Sequence, residues 1–262
     1  GAISVPLFKL FKYDALASRV RDAGVTLVLT DPEGRDLLGG LATPLMVDSV
    51  GMAGDPVAFA DTGPDDPAVL IYTSGTTGSP KGALHGHRVL TGHLPGVSLS
   101  HDVLGQDGDC LWTPADWAWI GGLFDVLMPA LALGVPVVAA RLLKFSPEAC
   151  ACIIRDGDVR NVFFPPTALR MLKAEGAEIA GLRSVASGGE PLGAEMLAWG
   201  QQAFDLSINE FYGQTECNMV ATSAGSQFPP RPGCIGKRVP GHDVAVLDDD
   251  GAPTADEGDV AI

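Results

Sequence analysis

Long apolar runs are missing from this sequence. No stretch approaches the ~18 residues that cross a bilayer as a helix, and the apolar segment 135–140 is interrupted by Pro136. A membrane-spanning helix is therefore excluded on sequence grounds. Positive charge is scarce as well: 17 Lys and Arg face 32 Asp and Glu, for a formal net charge of −15. No basic stripe stands out, which argues against a protein that tracks nucleic-acid phosphates. Cysteine is sparse and unpaired, at positions 110, 150, 152, 217 and 234, with no C-x-x-C spacing. That pattern argues against a disulfide framework or a zinc ribbon and points to a reducing, cytoplasmic setting. Internal repeats and low-complexity tracts are lacking too. Gly1-Ala-Ile-Ser-Val carries neither an initiator Met nor a signal peptide, and Asp259-Val-Ala-Ile262 ends within a strand-like run, so the chain is expected to be cut from something longer.

What is present is enough for a large buried core: 262 residues, 46% of them hydrophobic and 19% charged. Short apolar runs at 25–29, 68–72, 135–139, 161–164 and 184–186 have the length and composition of buried strands. Helical periodicity falls between them, at 13–22, 121–133, 147–155, 166–175 and 194–204. Ser146-Pro147-Glu148 gives one of these helices an N-cap, a first-turn proline and an acidic first turn. Alternation of this kind predicts an α/β fold, a mostly parallel sheet with flanking helices. Residues 31–67, rich in Gly, Pro and Asp, are expected to form a long surface excursion. Beyond residue 223 the helical pattern stops. A proline-rich boundary at 224–240 and a β-hairpin built from 244–247 and 259–262 are expected to open a β subdomain, after an α/β region spanning 1–223.

The residue cluster richest in chemistry follows the apolar strand at 68–71. Tyr72, Thr73, Ser74, Gly75, Thr76, Thr77, Gly78, Ser79, Pro80, Lys81 and Gly82 combine hydroxyls, glycines and one lysine. Glycine lets backbone approach a ligand closely, exposed N–H and hydroxyl groups cradle phosphate oxygens, and Lys81 adds a point charge. The spacing does not fit G-x-x-x-x-G-K-[ST], so this is not a Walker A loop. Gly and Ser also favour plain surface turns. Two other segments stand out: Ser187-Gly-Gly-Glu-Pro-Leu192 after a strand, and Phe211-Tyr-Gly-Gln-Thr-Glu216. His85, His87 and His93 are expected on the helix that follows the Gly-rich segment. No carboxylate accompanies them there, so they are taken as helix-surface or core-edge residues rather than metal ligands.

Residues 73–82 resemble the phosphate-binding signature of the adenylate-forming superfamily, which includes acyl-CoA synthetases, peptide-synthetase adenylation domains and firefly-type luciferases. Residues 211–216 are similar to the same superfamily's Y-G-x-T-E block, and 187–192 to its G-E-P segment. The resemblance identifies the fold as the superfamily's large N-terminal domain and implies ATP, Mg²⁺ and CoA as cofactors, with a small-molecule carboxylic acid as substrate. It implies that Thr73, Ser74, Gly75, Thr76, Thr77, Gly78 and Lys81 meet the phosphates. Gly189, Glu190 and Pro191, with Glu210, Phe211, Tyr212, Gln214 and Thr215, would line the nucleotide, Tyr212 stacking on adenine. Lys81, Thr215 and Glu216 would be catalytic, with Glu216 and Thr76 at the metal. Trp119 and Gly121, in a tryptophan-rich stretch, and Gly213, where acetyl-specific enzymes carry a tryptophan, would border the acyl pocket. Gly213 is expected to leave that pocket open to short- or medium-chain acids.

Within the superfamily, Gln214 stands where peptide-synthetase domains usually have Pro. Phe124-Asp125 lies too close to Ala132-Leu-Gly134 to be their amino-binding motif. An acyl-CoA synthetase is preferred over an amino-acid adenylation domain. A non-catalytic nucleotide-binding module remains the rival from another class. The superfamily's ribose-gripping T-G-D segment and its lysine-bearing C-terminal domain are absent from these residues.

Overall fold

The computed structural model describes residues 1–49, 57–73, 80–140, 142 and 144–262. They gather into two compact units, Gly1–Arg88 and Val89–Ile262.

The first unit opens with helix α1 (Tyr13–Asp22), which buries Leu16, Ala17 and Val20 on one face. Strand β1 (Leu27–Thr30) pairs in parallel with β2 (Thr43–Met46). Helix α2 (Pro32–Leu38) lies between them and buries Leu38. Part of the expected surface excursion is therefore ordered. Its signal is local: Asp31 caps α2 by accepting the Gly34 N–H at 2.9 Å, Pro32 starts the helix, and Gly39 ends it at φ +54°. Strand β3 (Pro67–Thr73) then pairs antiparallel with β4 (Lys81–Gly86), with Tyr72 opposite Gly82 and Thr73 opposite Lys81. The expectation of a helix directly after the Gly-rich segment is overturned. His85 stands on β4 and His87 in the turn beyond it, and the next helix begins only at Val89. Gly82 and Gly86 carry too much backbone freedom to favour a helix here, and the antiparallel ladder satisfies their backbone instead.

The second unit is built on a six-stranded sheet. β5 (Leu111–Trp112), β6 (Asn161–Phe163), β7 (Ser184–Gly188) and β8 (Ile208–Gln214) run parallel in that order. β9 (Asn218–Thr222) and β10 (Lys237–Arg238) complete it antiparallel. The 135–139 run does not become a full strand. Val137 makes an isolated bridge to Leu111, where Pro136 supplies a carbonyl but no N–H.

Helices cover both faces, and the strands alternate between two cores as a period of two requires. Trp112, Val162, Phe164 and Val185 pack with residues of α6 (Pro147–Asp156), α7 (Pro166–Ala174) and α8 (Gly193–Phe204). Leu111, Phe163, Ala186 and Phe211 point the other way, toward Val97 of α3 (Val89–Ser100) and Val126 and Ala130 beyond it. Truncating Phe163, which is fully buried between the Trp119 and Phe211 rings, would cost about 3–5 kcal/mol.

The segment from Ile120 to Leu133 is not one regular helix. A short α turn, α4 (Ile120–Gly122), passes into a π turn at Leu123–Leu127 and then into α5 (Met128–Leu133). Pro129 has no N–H to offer the carbonyl of Asp125 four residues earlier, which is where the α ladder gives way. At the end of the chain, β11 (Ala245–Leu247) and β12 (Asp259–Ala261) form the antiparallel pair read from the sequence.

Candidate active site

Two of the three motif segments meet at the carboxyl ends of neighbouring parallel strands, the place where open α/β sheets gather ligands. Gly188 at the end of β7 is in register with Phe211 of β8. Beyond Gly188 the chain turns outward through Gly189, whose φ of +105° favours glycine. A Cβ on Gly188 would lie 2.4 Å from the Phe211 ring, so only glycine allows these two strands to end side by side. Glu190 and Pro191 are exposed, and Glu190 pairs with Arg170 at 2.7 Å. Glu210, expected among the nucleotide-lining residues, is buried and its carboxylate accepts the Leu192 N–H at 3.0 Å. It fastens the 189–192 segment to β8.

Strand β8 ends in a tight turn, Thr215-Glu216-Cys217, before β9 returns. Tyr212 and Gln214 are joined at the turn's base, the Gln214 amide donating to the phenol oxygen at 3.0 Å. Thr215 is buried, whereas Glu216 projects from the tip and makes no hydrogen bond or ion pair among the described residues. No group of three or more His, Cys, Asp or Glu among those residues is arranged to hold a metal ion. A single free carboxylate still fits Mg²⁺, which is commonly held by one or two carboxylates together with substrate phosphates.

Behind the turn lies a cavity of about 160 Å³ lined by His93, Trp119, Asp125, Gly213, Asn218 and Met219, among others. Trp119 stacks on Phe163 at 5.9 Å between centroids, and Phe163 leans on Phe211 at 5.4 Å, so the sheet's second core fixes this wall. Gly121 does not line the cavity; a Cβ there would come within 2.6 Å of the Trp119 ring, so its bareness gives the indole room. Trp112 is plain core, edge-on to Phe164, and Trp199 is partly buried against the same core. Gly213 does line the cavity, but not as an interchangeable open position. A Cβ at 213 would stand 2.1 Å from the Asn218 carbonyl oxygen across the hairpin, at a register irregularity between Tyr212 and Gly213. A tryptophan at this position, the expected way to shorten the pocket, would first have to displace backbone.

Sequence reasoning missed a buried polar pair on the cavity wall. His93 is 1% exposed, and its Nδ1 lies 3.1 Å from Asp125 Oδ1. Phe124 approaches the same imidazole at 5.3 Å between centroids. His93 is thus neither a helix-surface nor a core-edge residue. In the sequence, Phe124-Asp125 stands out only against the peptide-synthetase motif.

The Gly-rich segment belongs to the first unit. Ser74, Gly75, Thr76, Thr77 and Gly78 lie outside the described residues. At its edges, Thr73 ends β3 and Lys81 opens β4, exposed. Tyr72 donates its hydroxyl to Asp22; burial first and this bond second push the phenol up to about 12. Tyr72 therefore anchors the strand to α1.

Residues 1–262 match a protein family described as AMP-binding enzyme. The acetyl-coenzyme A synthetase of Bacillus subtilis is 30% identical over 277 residues, covering 96% of this chain and 48% of its own length. The acetyl-coenzyme A synthetase 1 of Pseudomonas aeruginosa is 30% identical, covering 85% of this chain and 40% of its own. Among solved structures, the acyl-CoA synthetase of Brucella canis matches with a TM-score of 0.86 at 28% identity, covering 97% of this chain and 51% of that one. The ATP-bound MatB of Rhodopseudomonas palustris matches with a TM-score of 0.81 at 26% identity, covering 98% and 54%. The chain thus spans about half the length of the relatives it matches.

Proposed function

Because the chain belongs to the AMP-binding enzyme family, we propose that the full-length protein is an AMP-forming acyl-CoA synthetase. It would join a short carboxylic acid to CoA at the expense of ATP. The observation that supports this most is the placement of the 211–216 turn. Its Thr215 lines a partly apolar cavity, and the free Glu216 carboxylate follows in the turn after β8, the strand paired with β7.

In the first half-reaction, an oxygen of the acid's carboxylate attacks the α-phosphorus of ATP. An O–P bond forms, the bond to the pyrophosphate leaving group breaks, and an acyl-adenylate results. In the second, the CoA thiolate attacks the acyl carbon and AMP leaves with the bonding pair. Little covalent work falls to the protein; its task is to position the reactants and neutralise phosphate charge. Glu216, with Thr76, would hold Mg²⁺, whose chemistry is to offset the charge on the phosphate oxygens. Thr73, Ser74, Gly75, Thr76, Thr77 and Gly78 would surround the phosphates, with Lys81 as their point charge and Thr215 at the reacting phosphorus. Tyr212 would stack on the adenine, with Gly189, Glu190, Pro191, Phe211 and Gln214 around it and Glu210 bracing the wall from behind. Trp119 and Gly213 would enclose the acyl group, Gly121 giving Trp119 its place. Residues 224–262 would open the β subdomain that follows the α/β region.

The test is acid-dependent release of pyrophosphate from ATP by the full-length protein over a panel of carboxylic acids, followed by CoA-dependent AMP release. Glu216→Gln should lower the first rate by roughly 100-fold or more, the scale of losing a group that stabilises charge in the transition state. Absence of pyrophosphate release with every acid would overturn the proposal.

A further inference from the structure

The His93–Asp125 pair has no part in the chemistry just described, yet it is built with care. His93 comes from α3 and Asp125 from the π turn 32 residues later. π turns inside α-helices are frequent at functional sites. This one sets two consecutive residues, Phe124 and Asp125, against the same imidazole. A carboxylate only accepts hydrogen bonds, so the Nδ1–H of His93 donates to Asp125 and fixes the ring's tautomer and orientation.

In the neutral imidazole the other ring nitrogen is then a lone-pair acceptor. Nε2 is buried and has no hydrogen-bond partner among the described residues. Leaving such a group unsatisfied costs about 1–3 kcal/mol, and each case in a folded protein calls for an explanation. Trp112 Nε1 and Asn161 Oδ1 are also without partners, but neither residue lines this cavity. His93 does line it.

The chemistry of the wall narrows what belongs opposite Nε2. No lysine or arginine is among the cavity's described lining residues, and its one carboxylate is Asp125. A second carboxylate on the substrate would meet no opposing cation and would lie close to Asp125. A plain alkyl chain would leave Nε2 unsatisfied. A hydroxyl group has the hydrogen that an imidazole lone pair needs. The cavity's size, about 160 Å³ against the ~300–1,000 Å³ of pockets for drug-sized ligands, calls for an acid of few carbons.

We propose that His93, oriented by Asp125, is a specificity-determining residue that accepts a hydrogen bond at Nε2 from the hydroxyl group of a short hydroxy acid. The proposal rests on the acyl-CoA synthetase function above and names its substrate class. Discrimination should favour the hydroxy acid strongly. A site built to bond a substrate hydroxyl rejects the analogue that lacks it by more than a pocket rejects a missing methylene.

The experiment measures kcat/KM for acid-dependent pyrophosphate release by the full-length protein. The acids are butyrate, 2-, 3- and 4-hydroxybutyrate and succinate, each tested with the wild type, His93→Leu and His93→Gln. One hydroxybutyrate should exceed butyrate by at least about 100-fold in the wild type. His93→Leu should bring the ratio of hydroxybutyrate to butyrate kcat/KM down to about one, whatever it does to the absolute rates. His93→Gln, whose amide oxygen still accepts a hydrogen bond, should retain part of it. Thermal melting of each variant, alone and with ATP, separates lost recognition from lost folding. Butyrate or succinate outperforming every hydroxy acid in the wild type would overturn the proposal and leave the synthetase function standing. So would an unchanged preference ratio in both variants. Release with no acid at all would overturn both.

Discussion

His93 and His101 lie eight residues apart and are equally hidden, each about 1% exposed, yet their surroundings give them opposite tasks. His93 leans on a carboxylate and is among the residues lining a cavity, while its second nitrogen has no partner among the described residues. His101 lies against the sheet, its Nδ1 at 2.9 Å from the Ser184 hydroxyl, which also accepts from Asn161. Burial, and after it the nearby Arg183 charge, push His101 down to about 4. Arg183 in turn grips Asp109 with two nitrogens at 2.6 and 2.7 Å. Burial pushes the Asp109 carboxyl up, but Arg183 and the N–H groups of Gln106 and Gly105 outweigh it and hold the carboxyl below its usual range. The comparison teaches that burying a titratable group is not a functional sign by itself. At His101 the bond to Ser184 ties the imidazole into the core, whereas at His93 one buried nitrogen has no partner among the described residues.

If that contrast is right, the His101 end governs stability. Arg183→Met leaves Asp109 buried without its cation, and breaking a buried pair costs about 3–5 kcal/mol. Arg183 keeps some solvent access, so roughly 3–4 kcal/mol is expected, read from urea unfolding at pH 7. A loss no larger than that of Asp125→Asn would erase the distinction.

The next effect is acid sensitivity. A histidine held near 4 in the folded chain and near its ordinary value when unfolded contributes fully above pH ~6.5. Its contribution shrinks as pH falls through the window to about 4. The span amounts to about 3 kcal/mol. His101→Asn should flatten that stretch of the stability curve, leaving the Asp109 loss at lower pH. A curve unchanged in shape between pH 6.5 and 4 would refute the assignment.

The smallest effect is expected at the cavity. Asp125→Asn still offers Nδ1–H an acceptor oxygen, so its cost should be about 1 kcal/mol in the same urea measurement. A loss of several kcal/mol would mean that the His93–Asp125 pair, too, is chiefly structural.

Much of the fold was legible because its signals are local. Tyr13–Asp22 has helical bounds that follow its apolar period, and the runs leading into β6 and β7 are short, apolar and bounded by turn residues. The helix expected around His93 exists as α3, but its start at Val89 was hard to read: Gly92, Pro95 and Gly96 are poor helix formers, and apolar residues surround it rather than forming a stripe. The 187–192 segment could be placed at a strand end from sequence because it follows the short run at 184–186, whereas 211–216 follows Leu206-Ser-Ile-Asn-Glu210, which has no apolar run, and was legible only through its resemblance. His93 and Asp125 were legible through neither. Their meeting depends on tertiary packing, and a π turn departs from the 3.6-residue period that assigns faces. The single local clue was Pro129, four residues past Asp125.

The glycines of α3 carry a lesson for anyone who wishes to re-engineer the pocket. A methyl group at Gly96 would press on the Met219 sulfur at 3.0 Å, and one at Gly92 on the Asn218 amide at 2.7 Å. The Asn218 amide is a side-chain end that can turn aside, whereas Met219 is also met at its Cβ, at 3.1 Å; both residues line the cavity. Gly213, by contrast, abuts rigid main chain. Pocket volume is therefore adjustable from behind, by enlarging a residue that never touches the acid. A library randomised only at the visible lining would overlook Gly92, where the close neighbour is a side-chain end.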